Sequence, residues 1–260
     1  MVRVFATCGL IQSPFVKLRD RIPDDILATF DDEVDRETLI VLLTATVVLL
    51  MSFYWGRPNF AWQIELPQRF ASYGGVFADR SGTVPYLWWG FASTVLRVGI
   101  PLTVIVFVLR RRPVEFGFRL KGIARHLPPY IAMYLLMLPV LLWASRWESF
   151  QNYYPFYKQA NELGWGLVLY ELGYGLQFVG LEAFFRGFLT FGLYRRFGWL
   201  AVPMMTVPYT MIHFSKPMPE ATAAIIAGLI LGTMAIRSKS FVPGVMLHVA
   251  VAYTMDFLTM

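Results

Sequence analysis

Seven long apolar stretches run through the 260-residue chain and constrain its fold more than any other feature. A helix needs roughly 20 mostly apolar residues to cross the hydrocarbon core of a bilayer. The stretches near that length are 38–55, 85–109, 127–145, 163–193, 199–214, 221–236 and 241–260. The pattern predicts an all-α protein, a polytopic transmembrane helical bundle of seven spans. An eighth, partial helix fits within 60–77.

The composition excludes the alternative of a water-soluble fold. Apolar residues make up 57% of the chain and charged residues only 15%, whereas soluble domains usually carry about 25% charged residues. Surface-to-volume scaling limits how much apolar surface a soluble domain of this size can bury. The single cysteine, Cys8, excludes an internal disulfide framework.

The basic residues indicate how the spans are oriented, because arginine and lysine collect in cytoplasmic loops. Alternation places three basic loops on one side of the bilayer: 110–125, 195–196 and 237–239. The sequence therefore predicts a cytoplasmic N-terminus. The same flanking positions account for the net charge of +6. The predicted partner is thus the lipid bilayer, with no nucleic acid. The compact organisation and the lack of a targeting extension favour the plasma (inner) membrane of a prokaryote.

Ionisable residues within the predicted spans are few. A charged group at bilayer depth costs at least ~2.5–3.5 kcal/mol, so it usually has a partner and a role. The set is Arg97, Glu171, Glu182, Arg186, His213, His248 and Asp256. Glu182 and Arg186 are four residues apart, so they share a helix face and can form an ion pair. Arg97 is expected to balance one of the carboxylates.

Three of these residues suggest a chemistry. Glu182, His213 and His248 lie on three different predicted spans. A carboxylate can accept a proton from water while imidazoles orient that water or stabilise an oxyanion. One glutamate and two histidines can equally bind zinc with an open position. The spacing does not separate these two alternatives.

Three motifs in the last third of the chain resemble those of the CAAX-protease/bacteriocin-processing family. The segment 180–187, GLEAFFRG, resembles its Glu-Glu-x-x-x-Arg motif. The segment 208–213, PYTMIH, is similar to its Phe-x-x-x-His motif, with tyrosine for phenylalanine. The segment 240–248, SFVPGVMLH, resembles the lead-in to its His-x-x-x-Asn/Asp motif. The resemblance covers about residues 163–260.

Two positions depart from the family pattern. Leu181 stands where the first glutamate of the paired motif is expected, and Ala252 stands where asparagine or aspartate is expected. Asp256 lies one turn beyond Ala252, on a similar helix face. The resemblance to members with a single glutamate implies that Glu182 takes over the role of base, and the alternative is that the site has decayed.

The charge and hydropathy pattern divides the chain into an N-terminal cytoplasmic or surface extension, 1–36, and transmembrane helices from 37 onwards. The resemblance separates the N-terminal transmembrane helices, 37–162, from a catalytic helical core, 163–260. It implies an intramembrane endopeptidase that cleaves a membrane-associated protein or peptide near its C-terminus. Glu182 and His213 would activate the water, and His248 with Asp256 would stabilise the oxyanion. Arg186 would hold Glu182 ionised. Tyr209 and Glu220 would support the site, and Gly228 and Gly232 would allow close helix approach.

No cofactor is required on this interpretation. The zinc alternative would use Glu182, His213 and His248. Straight spans would put these three residues at different depths, so the helices must tilt, break or re-enter, for which Pro203, Pro208 and Pro243 provide places.

Two other functions remain open. The first is a catalytically inactive family member that acts as an immunity or scaffold membrane protein. The second is a transporter with a proton-coupled pathway, for which the chain offers no inverted repeat.

Overall fold

Residues 33–160 and 164–260 are described by a computed structural model of the chain. Regular structure in these ranges is entirely helical, which confirms the prediction of an all-α bundle. The helices are α1 (Glu33–Tyr54), α2 (Pro58–Gln63), α3 (Leu66–Ala71), α4 (Val76–Arg80), α5 (Val84–Thr94), α6 (Ile100–Thr103), α7 (Leu127–Ala144), α8 (Glu148–Tyr153), α9 (Trp165–Glu182), α10 (Thr190–Phe197), α11 (Ala201–Met211), α12 (Met218–Ser238) and α13 (Val242–Thr259). Helices α9 and α10 are joined by a π-helical segment, Ala183–Leu189.

Six helical runs in the described residues are long and apolar enough to cross a membrane, one fewer than the sequence predicts. The predicted fourth and fifth spans fall in one 47-residue run, Trp165–Met211. Gly198, with φ +53, ends α10 and reverses the chain. The 11 residues of α11 rise only about 16 Å, roughly half of a bilayer core. The segment 199–214 is therefore a half-length helix.

The predicted partial helix at 60–77 corresponds to three short helices, α2, α3 and the start of α4. None of them is long enough to cross a bilayer. The predicted extension, 1–36, lies mostly outside the described residues, as does Cys8. Within the described part, α1 begins at Glu33, which is inside the predicted extension.

The three basic loops meet at one end of the bundle, here called the basic end. Arg111 forms an ion pair with Glu33 at 2.6 Å, and Arg195 forms an ion pair with Glu37. Ser240 donates to the carbonyl of Arg119 at 2.7 Å, which joins the loop before α13 to the loop before α7. The alternation of basic loops that the sequence predicts is thus present in the fold.

Helices α5 and α9 approach so closely that only small residues fit between them. A Cβ built on Gly90 would lie 2.5 Å from the carbonyl oxygen of Gly173. Ser93 donates to the carbonyl of Gln177 at 3.0 Å. Small residues at such a contact let two backbones approach, which drives helix association in membranes.

Replacing Gly173 with alanine is expected to destabilise the bundle by about 1–3 kcal/mol, the usual range for overpacking. The new Cβ would lie 2.6 Å from the carbonyl carbon of Tyr86 and 2.8 Å from the amide nitrogen of Leu87. Both are backbone atoms and cannot rotate away. Gly99→Ala is the matched control, because its Cβ would meet nothing within 4 Å. Equal unfolding midpoints for the two variants in detergent would contradict this account.

The expectation for Gly228 and Gly232 is confirmed. A Cβ on Gly228 would lie 2.7 Å from Thr206 Cγ2, and one on Gly232 would lie 2.9 Å from Met205 Cε. Both contacts belong to α11. The two glycines therefore allow α12 to pack tightly on the helix that leads to His213.

Candidate active site

Glu182, at the end of α9, is the centre of a buried chain of polar side chains. Arg186 Nη1 donates to Glu182 Oε1 at 2.9 Å, and both side chains are fully buried. Nδ1 of His248, on α13, lies 2.9 Å from the same oxygen. The pair predicted from the spacing of four is thus present, and one of the two predicted histidines joins it.

The contact with Glu182 determines which nitrogen of His248 carries the proton. Arg186 and Glu182 form an ion pair. An ionised carboxylate can only accept hydrogen bonds, so Nδ1 of His248 is the donor. In a neutral imidazole the other nitrogen, Nε2, is then unprotonated and free to accept a proton.

The surroundings fix this pair in place. A Cβ on Gly244 would lie 2.8 Å from Glu182 Oε2, so a glycine is needed where α13 passes the carboxylate. Phe178 stacks on the ring of His248 at 4.5 Å. Glu182 Oε2 is buried and has no hydrogen-bond partner among the described residues.

Tyr209 connects this chain to the second predicted histidine. The guanidinium carbon of Arg186 lies 3.8 Å from the centre of the Tyr209 ring. The ring of His213 packs edge-on against the same tyrosine at 4.8 Å. The half-length of α11 thus brings His213 towards the level of Arg186, although it makes no hydrogen bond with Glu182 in the described structure.

His213 is held as a neutral imidazole. Its Nδ1 donates to the carbonyl of Tyr209 at 2.8 Å. Burial, followed by the positive charge of Lys216, lowers the pKa of His213 from 6.5 to about 3. At neutral pH its Nε2 is therefore an acceptor of hydrogen bonds and a weak base.

The depressed pKa of His213 predicts a pH dependence of stability. Below about pH 6.5, His213 binds a proton in the unfolded chain, whereas in the folded chain it binds one only near pH 3. The free energy of unfolding should therefore fall as the pH is lowered from about 6.5 to about 3. His213→Gln should show a shallower fall in melting temperature. The groups that face His213, namely Tyr209, Lys216, His248 and Arg186, are the same in both proteins. Parallel curves would show that His213 does not contribute.

Two cavities lie on either side of a wall that includes Tyr174, Phe178 and Lys216. The larger, about 610 Å³, is lined by His213 and Leu181. The smaller, about 150 Å³, is lined by His248 and Ala252. Leu181 and Ala252, the two positions that depart from the family motifs, therefore line different cavities.

The structure does not bring Asp256 to His248. Asp256 is fully buried and accepts a hydrogen bond from the hydroxyl of Tyr170 at 2.6 Å. It lies eight residues beyond His248, or about 12 Å along α13. It belongs instead to a second polar cluster with Tyr170, which the sequence analysis did not single out.

Glu220 also lies away from Glu182. It pairs with Lys216 at 2.5 Å and accepts a hydrogen bond from the hydroxyl of Tyr154 at 2.8 Å. The negative charge of Glu220 raises the pKa of Lys216, and burial raises the pKa of Tyr154. Lys216 and Glu220 are four residues apart, so the sequence could have predicted this ion pair.

The donor set proposed for zinc is not assembled. Within 33–160 and 164–260, no three His, Cys, Asp or Glu side chains lie close enough together to hold a metal ion. Glu182 and His248 are in contact, whereas His213 packs against the ring of Tyr209. Of the three proposed ligands, Glu182 and His248 form a carboxylate–imidazole pair.

Residues 164–254 match the family model described as type II CAAX prenyl endopeptidase Rce1-like. No curated protein and no solved structure matches the chain.

Proposed function

We propose that this chain, whose residues 164–254 belong to the Rce1-like family of type II CAAX prenyl endopeptidases, cleaves a membrane-associated protein or peptide near its C-terminus. The family indicates an intramembrane endopeptidase in general. The observation that carries the specific proposal is the chain of contacts from Arg186 through Glu182 to His248.

In the proposed reaction, His248 is the base. A water beside Nε2 gives its proton to that nitrogen, and the hydroxide attacks the carbonyl carbon of the scissile peptide. Glu182 stabilises the imidazolium that forms, and Arg186 stays paired with Glu182. The imidazolium then returns the proton to the nitrogen of the leaving amine, and the peptide C–N bond breaks. His213 lines the larger cavity, on the other side of the shared wall, and takes no part in these steps.

A second candidate, a catalytically inactive family member acting as an immunity or scaffold protein, is favoured by Leu181. This residue lines the larger cavity together with His213, where the family motif has a glutamate. Leu181→Glu tests this alternative. An inactive member should gain cleavage with the restored carboxylate, whereas an enzyme that uses His248 should not depend on it.

The test of the main proposal compares the C-termini of membrane proteins in cells that lack the chain. The cells are complemented with wild type, Glu182→Gln or the control Glu148→Gln, which changes an exposed carboxylate. The proposal expects one or more tails to be cleaved with wild type and with the control, but not with Glu182→Gln. Identical termini in all strains, with equal protein levels, would favour the inactive alternative.

We also propose a prokaryotic plasma membrane as the location of the protein. The cytoplasmic N-terminus proposed with it is supported by the clustering of basic loops at one end of the bundle. The single cysteine, Cys8, provides a label for the test. A membrane-impermeant maleimide should react with it only after the cells are permeabilised. Labelling in intact cells would reverse the orientation.

A further inference from the structure

Among the described residues, those that line the larger cavity include cations and no acidic side chain. Arg57, Arg97 and Lys216 contribute to its surface, and none of the lining residues is aspartate or glutamate. The rest of the wall is largely aromatic, with residues such as Trp62 and Trp89. The cavity therefore combines a positive electrostatic field with an apolar surface.

Two of these cations have no carboxylate partner in the described part of the chain. Arg97 was expected to balance a carboxylate, but its hydrogen bond goes from Nε to Ser52 Oγ at 3.3 Å. Arg57 lies over the ring of Phe53 at 4.3 Å. Neither has an acidic oxygen within 4 Å among the residues described, whereas Lys216 is paired with Glu220.

The depth of Arg97 makes the absence of a counter-charge among the described residues informative. It lies within the membrane-spanning run Val76–Val108, where an uncompensated charge is unfavourable. Arg57 lines the same cavity as Arg97, so the two positive charges repel each other. Two arginines facing one cavity without an acidic neighbour are the arrangement that an anionic ligand would stabilise.

We propose that this cavity binds a single-chain amphiphile whose carboxylate or phosphate head is held by Arg57 and Arg97. The guanidinium group suits such an oxyanion because its N–H groups match two oxygens at once. A volume of about 610 Å³ suits one compact ligand rather than a two-chain lipid, since ligand pockets are about 300–1,000 Å³. The aromatic wall would cover the apolar chain. This site requires no peptide cleavage and so stands apart from the proposed protease activity.

The experiment measures binding of a brominated fatty acid to the full chain in phosphatidylcholine nanodiscs. Bromine quenches tryptophan on contact, and Trp62 and Trp89 line the cavity. Bromododecanoic acid should quench saturably, and bromododecanol should bind at least about ten-fold more weakly, the size of a lost charge-assisted hydrogen bond. Arg97→Gln should remove this preference, and Arg97→Lys should keep most of it. The matched control is Arg69→Gln, because Arg69 is exposed outside the cavity.

Each other result overturns the proposal. Equal affinities for the acid and the alcohol would mean that the cavity binds only the apolar chain and does not recognise the head group. Equal effects of Arg97→Gln and Arg69→Gln would mean that net charge, not the cavity, governs binding. Displacement of the acid by inorganic phosphate as readily as by dodecyl phosphate would point to a free anion. Displacement by a short peptide acid but not by dodecyl phosphate would assign the site to a peptide terminus.

Discussion

Replacing Arg186 with methionine is expected to lower the free energy of unfolding by about 3–5 kcal/mol, the range seen when one partner of a buried ion pair is removed. Both side chains of the Arg186–Glu182 pair are fully buried, so the variant leaves Glu182 charged without its counter-ion. Denaturation of the purified protein in detergent, followed by tryptophan fluorescence, measures the loss.

A second substitution separates the charge from the packing. Adding Glu182→Gln to Arg186→Met removes the stranded charge and should recover most of the stability, because neutral replacements of buried pairs are often tolerated. Arg196→Met is the matched control. It removes a half-exposed arginine that pairs with Asp35 at 2.8 Å, and exposed pairs contribute only about 0–1 kcal/mol. If the double variant were as unstable as Arg186→Met, packing would be the cause.

Replacing His248 with alanine is expected to slow cleavage by about 10²–10⁴-fold, the usual contribution of a general base. The substrate is the tail identified by comparing cellular C-termini, and the initial rate of its cleavage is the readout. His213→Ala should slow the reaction less than about ten-fold, because a neutral, weakly basic imidazole offers little proton transfer.

The comparison of the two histidines tests the assignment of roles. Both variants should unfold at the wild-type temperature if the loss is chemical. A large effect of His213→Ala with a small effect of His248→Ala would place the reaction in the larger cavity, beside Leu181. That result would overturn the role of His248 without removing the protease activity.

Local spacing in the sequence predicted the parts of the site that lie on one helix. Residues four apart share a helix face, which found Glu182 with Arg186 and placed Tyr209 with His213. Contacts between helices required the structure. Asp256 is the clearest case. Its position on α13 led to the prediction that it supports His248, but in the structure it accepts a hydrogen bond from Tyr170 on another helix.

The number of spans shows the same limit of sequence reasoning. The apolar run 199–214 has almost the length of a span, but Gly198 reverses the chain before it and α11 ends at Met211. Hydropathy counts apolar residues and does not register where a helix stops. The two cavities could not be predicted from the sequence either, because their walls combine residues from separate helices.

The shortness of α11 has a consequence for the lipids around it. Val207 and Met211 expose an apolar face, and the turn that follows exposes Ser215. An acyl layer of ordinary thickness would draw this turn among the lipid tails, so we expect the adjacent leaflet to thin. Mismatch of this kind costs fractions of a kcal/mol per Å. Short-chain phosphatidylcholine should therefore stabilise the protein more than long-chain phosphatidylcholine, and in cells the protein should concentrate where the membrane is thinnest.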